Sequence, residues 1–219
     1  NMSLEEIKNY MNQVRRDFAE RPLTEGSVDN NPFKQYAVWF EEAVNSKILD
    51  PYAMCLSTVG VNGQPSSRIV YMRDILDDGF VFYTNYLSQK GKELLSTPKA
   101  ALNLHWAELE RQIRIEGDVV KVSEDISDKY FAGRPKKSQI GAWASAQSDV
   151  LTTREELEQH VLKYTERFKD IEVNRPEHWG GYVLKPAKIE FWQGRASRLH
   201  DRIVYTKEGA NWKLERLSP

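Results

Sequence analysis

Leu4, Ile7, Met11, Val14 and Phe18 recur at three- and four-residue intervals and the pattern stops near Pro22, which predicts a first helix. Ser3 followed by Glu6 is a capping box that would open it. Asn31-Pro32 offers a second helix start, with Phe33, Ala37, Phe40 and Val44 as its apolar stripe. From Tyr52 the pattern changes to short β-type runs: Ala53–Val59, Ser67–Arg73, Phe80–Thr84, Ala100–Trp106 and Gln112–Val122. Asn62-Gly63 and Asp77-Asp78-Gly79 supply turns between them. In the last run Ile113 and Ile115 alternate with Gln112, Arg114 and Glu116, so one face is apolar and the other polar.

Helical spacing returns at Ser88–Ser96, at Ser123–Phe131, and after Thr153, where Glu156 completes a cap before Leu157, Val161, Tyr164 and Phe168. Strand-like runs close the chain at Gly181–Leu184, Lys188–Trp192, Arg202–Thr206 and Trp212–Leu217, with a turn at Glu208-Gly209. Many antiparallel-type strands with peripheral helices imply a small barrel, mainly β with helices, or α+β. A single domain over 1–219 is expected. Its parts are an N-terminal helical segment (1–50), a barrel core (51–125), a helical segment (126–175) and C-terminal strands (176–219).

A chain of 219 residues with 40% hydrophobic and 29% charged residues can bury a core, and disorder is not expected. Its net charge of −1 argues against a general polyanion-binding surface, so nucleic acid is not an expected partner. No run approaches the ~18 apolar residues of a membrane span. Asn1 ahead of Met2 reads as an added residue, and the acidic N-terminal segment does not fit a secretion signal; a cytoplasmic protein is expected. Cys55, alone in an apolar run, is expected to be a buried inert thiol. The four histidines are scattered without metal-ligand spacing, so no metal site is expected. No dinucleotide, P-loop, nucleophile-elbow or zincin motif occurs.

Basic residues nevertheless gather in small islands. Arg68 and Arg73 bracket one strand, Lys90 and Lys92 start the next helix, Arg134-Pro135-Lys136-Lys137 cluster, and Arg195, Arg198 and Arg202 surround His200. Guanidinium forks and ammonium point charges in such islands suit small phosphorylated ligands.

The local sequences resemble the pyridoxamine/pyridoxine 5'-phosphate oxidase family. The matching pieces are Ser67-Arg68-Ile69-Val70, Phe82-Tyr83-Thr84-Asn85, Glu110-Arg111-Gln112-Ile113-Arg114, Tyr130-Phe131 with Arg134-Pro135, and Ser138-Gln139-Ile140-Gly141-Ala142. Gln147-Ser148, Trp179-Gly180-Gly181, Glu190-Phe191-Trp192-Gln193-Gly194, Arg198-Leu199-His200-Asp201-Arg202 and the terminal Glu215-Arg216-Leu217-Ser218-Pro219 continue the match in order. The resemblance implies a split β-barrel homodimer with FMN at the interface, the C-terminal strands lying there. Its activity would be oxidation of pyridoxine or pyridoxamine 5'-phosphate by O2, giving pyridoxal 5'-phosphate and H2O2.

The resemblance puts FMN contacts on Arg68, Ile69, Val70, Tyr71, Tyr83, Thr84, Gln89, Lys90, Gln112, Gln147, Ser148, Trp192 and Arg202. It puts substrate contacts on Arg15, Phe18, Arg73, Tyr130, Arg134, Ser138, Arg198, Leu199 and His200, with Arg198 and His200 as the catalytic pair. Three positions depart from the family pattern: Arg73 replaces a usual Lys, Gln89 a usual Arg, and Phe18 a usual Tyr. The alternatives are a split-barrel flavin oxidase of another pathway, such as the phenazine-biosynthesis relatives, and a non-catalytic FMN- or pyridoxal-phosphate-binding protein.

Overall fold

The computed structural model describes residues 2–13 and 15–219. In chain order the elements are α1 (Leu4–Gln13), α2 (Pro32–Asn45), β1 (Ala53–Val59), β2 (Pro65–Tyr71), β3 (Asp74–Leu76) and β4 (Gly79–Asn85). Then come α3 (Gln89–Ser96), β5 (Lys99–Trp106), β6 (Arg111–Lys121), α4 (Glu124–Ala132) and α5 (Lys136–Ala144). Last are α6 (Arg154–Arg167), β7 (Trp179–Gln193), β8 (Asp201–Glu208) and β9 (Asn211–Leu217). The strands run β2-β1-β5-β6-β7-β4-β3, with β8 pairing β7 and β9. The fold is α+β, as the sequence pattern implied. The chain forms two compact units, one of Asn1–Ile48, His105–Ile113 and Glu190–Pro219, the other of Leu49–Leu104 and Arg114–Ile189.

In the first unit α2 begins where Asn31-Pro32 predicted. The Asn31 side chain accepts the Phe33 N–H at 2.9 Å, and Pro32 occupies the first turn, where a missing N–H is harmless. Its buried face is offset from the expected stripe: Gln35, Tyr36, Trp39 and Ala43 are buried, whereas Val44 is exposed. The large rings decide the orientation, because Trp39 packs edge-on against Phe191, which does the same against Tyr205. The Ser3–Glu6 capping box is present, with reciprocal bonds of 2.7 and 3.2 Å, but α1 buries no residue and ends at Gln13. Phe18 therefore lies outside the helix its spacing predicted, its ring lodged against Trp192 and His200 instead. Val14 of that stripe lies outside the described residues.

In the second unit β1 alternates, with Met54, Leu56 and Thr58 buried, and pairs antiparallel with β2 from Ala53↔Tyr71 to Val59↔Pro65. The intervening turn needs Gly63, whose φ of +80° is left-handed. Two expected strands, Gly181–Leu184 and Lys188–Trp192, are one strand of 15 residues that carries Pro186 without breaking. Gly117 allows β6 to approach closely there, since a Cβ would fall 2.0 Å from the Lys185 carbonyl. β3 and α5 were not expected; β3 is only three residues long, and α5 starts without a side-chain cap. A second core of Phe131, Ile140, Phe168, Val173 and Trp179 binds the helical segment to the start of β7. Cys55, expected to be buried, is only partly so, because the odd positions of β1 lie on its less covered face. Among the described residues no helix is long and apolar enough to cross a membrane.

Candidate functional site

Arg68 projects from β2 opposite Leu56. Its Nη1 donates to Thr58 Oγ1 (2.5 Å), and its Nη2 to Ser66 Oγ (2.6 Å) and Glu93 Oε2 (3.4 Å). Glu93, on α3, also accepts from the hydroxyls of Thr58 and Ser66 and from the Gln89 amide. Burial alone would raise the Glu93 carboxyl, but those hydrogen bonds and the Arg68 charge bring it below its ordinary value.

One turn away Lys90 is buried at the start of α3, where Ser88 caps the helix by accepting the Gly91 N–H. Its Nζ donates to Thr84 Oγ1 and Gln147 Oε1, both at 3.1 Å, and Thr84 donates to the same Gln147 oxygen at 2.9 Å. Both acceptors of the buried ammonium are neutral. Burial, aided by repulsion from Arg68, pushes its pKa down to about 8.

Beside this pair three rings stack. Tyr130 of α4 lies 3.7 Å from Tyr83 of β4 at 7°, and Tyr83 is nearly parallel to Trp179 of β7 at 5.6 Å. The Arg134 guanidinium lies 4.5 Å from the Trp179 ring centre, and its buried Nη1 has no hydrogen-bond partner. A cleft of about 770 Å³ is lined by Arg73, Tyr83, Tyr130, Arg134 and Ser138. An adjoining pocket of about 270 Å³ shares four of those residues and adds Ile69, Val70, Tyr71, Thr84, Lys90 and Gln147. The second unit thus brings together most residues expected at an anion-binding site. Gln89 is exposed and turned to Glu93, and Ser148 holds a left-handed φ of +75°.

The first unit holds the rest. A cleft of about 650 Å³ is lined by Arg15, Arg16, Phe18, Arg198 and His200 among others. His200 packs against Trp192 (4.6 Å) and takes Phe18 edge-on (5.3 Å). Its Nδ1 accepts the Arg195 backbone N–H at 3.0 Å, so in the neutral ring Nε2 carries the proton. Burial, then the Arg198 charge, holds His200 below its ordinary value, which keeps it neutral at pH 7. Ser197 and Arg198 are consecutive non-glycine residues with φ of +56° and +61°, backbone strain of a kind concentrated at working sites.

Arg202 makes a bidentate pair with buried Glu190 (2.8 and 3.0 Å) and also donates to the Ser218 carbonyl. Gln112 is half-buried on β6, and Leu199 is 68% exposed on the loop before β8. Sequence reasoning passed over Glu93, Glu190 and Glu110. Glu110 holds a left-handed φ of +55° and accepts the Ala19 N–H at 2.8 Å, which ties down the segment bearing Phe18. Glu110 and Glu190 lie inside quoted motifs, and Glu93 is one helical turn from Gln89 and Lys90; a search for acids facing the basic islands could have found it.

Residues 40–168 match the family model for pyridoxamine 5'-phosphate oxidase, and residues 179–219 that for the pyridoxine 5'-phosphate oxidase C-terminal dimerisation region. A pyridoxine/pyridoxamine 5'-phosphate oxidase of Cyanothece sp. is 51% identical over 95% of this chain and 98% of its own. Its counterpart in Acaryochloris marina is 48% identical over 99% of both. Among solved structures, PhzG from Burkholderia lata 383, in complex with tetrahydrophenazine-1-carboxylic acid, superposes with a TM-score of 0.85. It is 33% identical and covers 91% of this chain and 98% of its own. A pyridoxamine 5'-phosphate oxidase-related, FMN binding protein from Nostoc punctiforme shares the fold at a TM-score of 0.68 and 16% identity, covering 88% of this chain and all of its own.

Proposed function

The chain belongs to the pyridoxine/pyridoxamine 5'-phosphate oxidase family, and from that premise we propose that it converts both substrates to pyridoxal 5'-phosphate as an FMN-bearing cytoplasmic homodimer. Dioxygen is the acceptor and is reduced to H2O2; with pyridoxamine 5'-phosphate a water is also consumed and the amino group leaves as ammonia. The observation that carries the cofactor assignment is buried Lys90 together with half-buried Arg68 on β2. Lys90 has only neutral acceptors, and a phosphate monoester would supply the anion this desolvated ammonium lacks. The residues therefore fit the FMN phosphate.

FMN contacts are assigned, as the family resemblance implies, to Arg68, Ile69, Val70, Tyr71, Tyr83, Thr84, Lys90, Gln147 and Ser148, and to Gln112, Trp192 and Arg202. Gln89, at the same place in the sequence, acts through Glu93. When bound, FMN supplies the two-electron acceptor, and the protein supplies position and charge. Arg73, Tyr130, Arg134 and Ser138 take the substrate phosphate; the partnerless Arg134 Nη1 supports this directly. Arg198 stabilises negative charge developing at the substrate's reacting end, and neutral His200 offers Nε2–H to orient the ring. Arg15 and Phe18 line the cleft that holds Arg198 and His200, and Leu199 lies between those two residues in the chain. The homodimer is supported by the C-terminal match and by edge strand β2, which leaves Ile69 65% and Tyr71 41% exposed.

Similarity to PhzG raises a phenazine-type substrate as a second reading. The phosphate-binding set of Tyr130, Arg134 and Ser138, together with the higher identity to the pyridoxine/pyridoxamine enzymes, favours the first. The test is steady-state oxidation by FMN-loaded protein. One H2O2 per pyridoxal 5'-phosphate is expected, and Arg134→Ala should raise KM for pyridoxine 5'-phosphate at least ~10-fold. Absence of peroxide would overturn the oxidase reading, and an unchanged KM the phosphate assignment.

A further inference from the structure

Arg73 lies in the short link between β2 and β3 with an exposed side chain, yet its guanidinium is not loose. Its carbon lies 4.9 Å from the ring centre of Tyr71 and 5.1 Å from that of Tyr52. Those rings meet edge-to-face at 5.1 Å and 90°. Both hydroxyls donate to one carboxylate, Tyr52 to Asp50 Oδ1 at 2.9 Å and Tyr71 to Asp50 Oδ2 at 3.2 Å. Asp50 holds a left-handed φ of +46°, a conformation uncommon for a residue with a side chain. The backbone is pinned as well: Arg73 N–H donates to the Val81 carbonyl and Met72 N–H to the Tyr52 carbonyl, both at 2.9 Å.

We propose that Asp50, Tyr52 and Tyr71 form a clamp that positions Arg73 for the phosphate monoester of the substrate. Tyr52 and Asp50 are then positioning residues for binding. The inference rests on the phosphate reading of the cleft that Arg73 shares with Tyr130, Arg134 and Ser138. Its chemistry lies in what the clamp leaves free. Among the described residues no carboxylate pairs with Arg73; Asp50 is engaged by the two hydroxyls instead. The ring faces attract the cation through their quadrupoles without occupying the N–H fork. The fork stays available to phosphate oxygens, and the long side chain is ordered before the ligand arrives. A lysine ammonium is a point charge without a plane to stack, so the aromatic pair favours arginine at this position.

The test measures binding of pyridoxal 5'-phosphate, and separately of inorganic phosphate, to FMN-loaded protein by tryptophan fluorescence, with KM and kcat taken in parallel. Tyr52→Leu should weaken both ligands about three- to tenfold, with the change falling on KM rather than kcat. Tyr52→Phe keeps the ring and should recover most of the loss. Arg73→Lys should weaken binding to a similar degree, and the double variant Tyr52→Leu/Arg73→Lys no further than the worse single, because the two residues act as one unit. Unchanged affinity in Tyr52→Leu, or additive losses in the double variant, would overturn the clamp. Should Tyr52→Leu fold poorly, Tyr52→Met, which keeps bulk without the ring, closes the same cycle with Arg73→Lys. If wild-type protein oxidises pyridoxine 5'-phosphate while these variants bind normally, only the clamp fails. If wild-type protein does not, the substrate reading fails.

Discussion

Lys90→Met should make the cofactor-free protein more stable and the cofactor harder to hold. Lys90 is 7% exposed, and burial brings its pKa from 10.5 to about 8. Below pH 8 it is charged in both the folded and the unfolded chain, so the full penalty of burying the ammonium applies. At ~1.4 kcal/mol for each tenfold change in proton affinity, holding this ammonium at about 8 rather than 10.5 is a destabilisation of about 3 kcal/mol. Between pH 8 and 10.5 the folded protein sheds this proton while the unfolded chain keeps it, so this contribution raises stability with pH in that window. Methionine fills similar space without charge. It gives up two hydrogen bonds, about 1 kcal/mol each, but Thr84 and Gln147 remain bonded to each other at 2.9 Å. A net gain of about 1–2 kcal/mol follows. The FMN phosphate would lose a buried charge-assisted partner, weakening binding roughly 30-fold or more. Thermal scanning of apo-protein at pH 7 and FMN fluorescence titration measure the two effects. An apo-variant less stable than wild type, or one binding FMN within twofold of it, would refute the reasoning.

Arg202→Ala removes the bidentate partner of Glu190, a 2%-exposed residue. It should lower stability in urea by about 2–3 kcal/mol and weaken FMN retention; a variant purifying fully yellow and fully stable would contradict this. Glu110→Ala releases the Ala19 N–H and the Arg16 ion pair. Limited trypsin digestion should then cut faster after Arg15 and Arg16, and an unchanged rate would show that the segment is held elsewhere. His200 is held below its ordinary 6.5 by burial and then by Arg198. Its imidazole should titrate by NMR below that pH, staying neutral above it, and Arg198→Gln should move the transition upward.

Much of the fold can be read locally. Asn31-Pro32 marks the start of α2, Ser88, Ser123 and Thr153 cap their helices, and β1 keeps its expected limits, because caps and alternation act over a few residues. What could not be read depends on distant contacts. β7 continues through Pro186 with β6 closely approached at Gly117, and Phe18 leaves the helical stripe for Trp192 and His200. α5 escaped because Pro135-Lys136-Lys137 gives it neither a side-chain cap nor an apolar stripe. At the site the basic residues stood out in a near-neutral chain. Their counter-charges Glu93 and Glu190 stood out less, since acids are common along the chain; helical spacing from Lys90 points to Glu93, whereas Glu190 is distinguished only by its folded pairing with Arg202. The Tyr83–Tyr130–Trp179 stack likewise joins three elements that no local spacing relates.

The most direct test of the account is an anaerobic spectrum of FMN-loaded protein titrated with pyridoxine 5'-phosphate. The account predicts that flavin absorbance bleaches in proportion to pyridoxal 5'-phosphate formed, and returns with one equivalent of H2O2 when air is admitted. A flavin that remains oxidised at saturating substrate, or a protein that takes up no FMN, would contradict it.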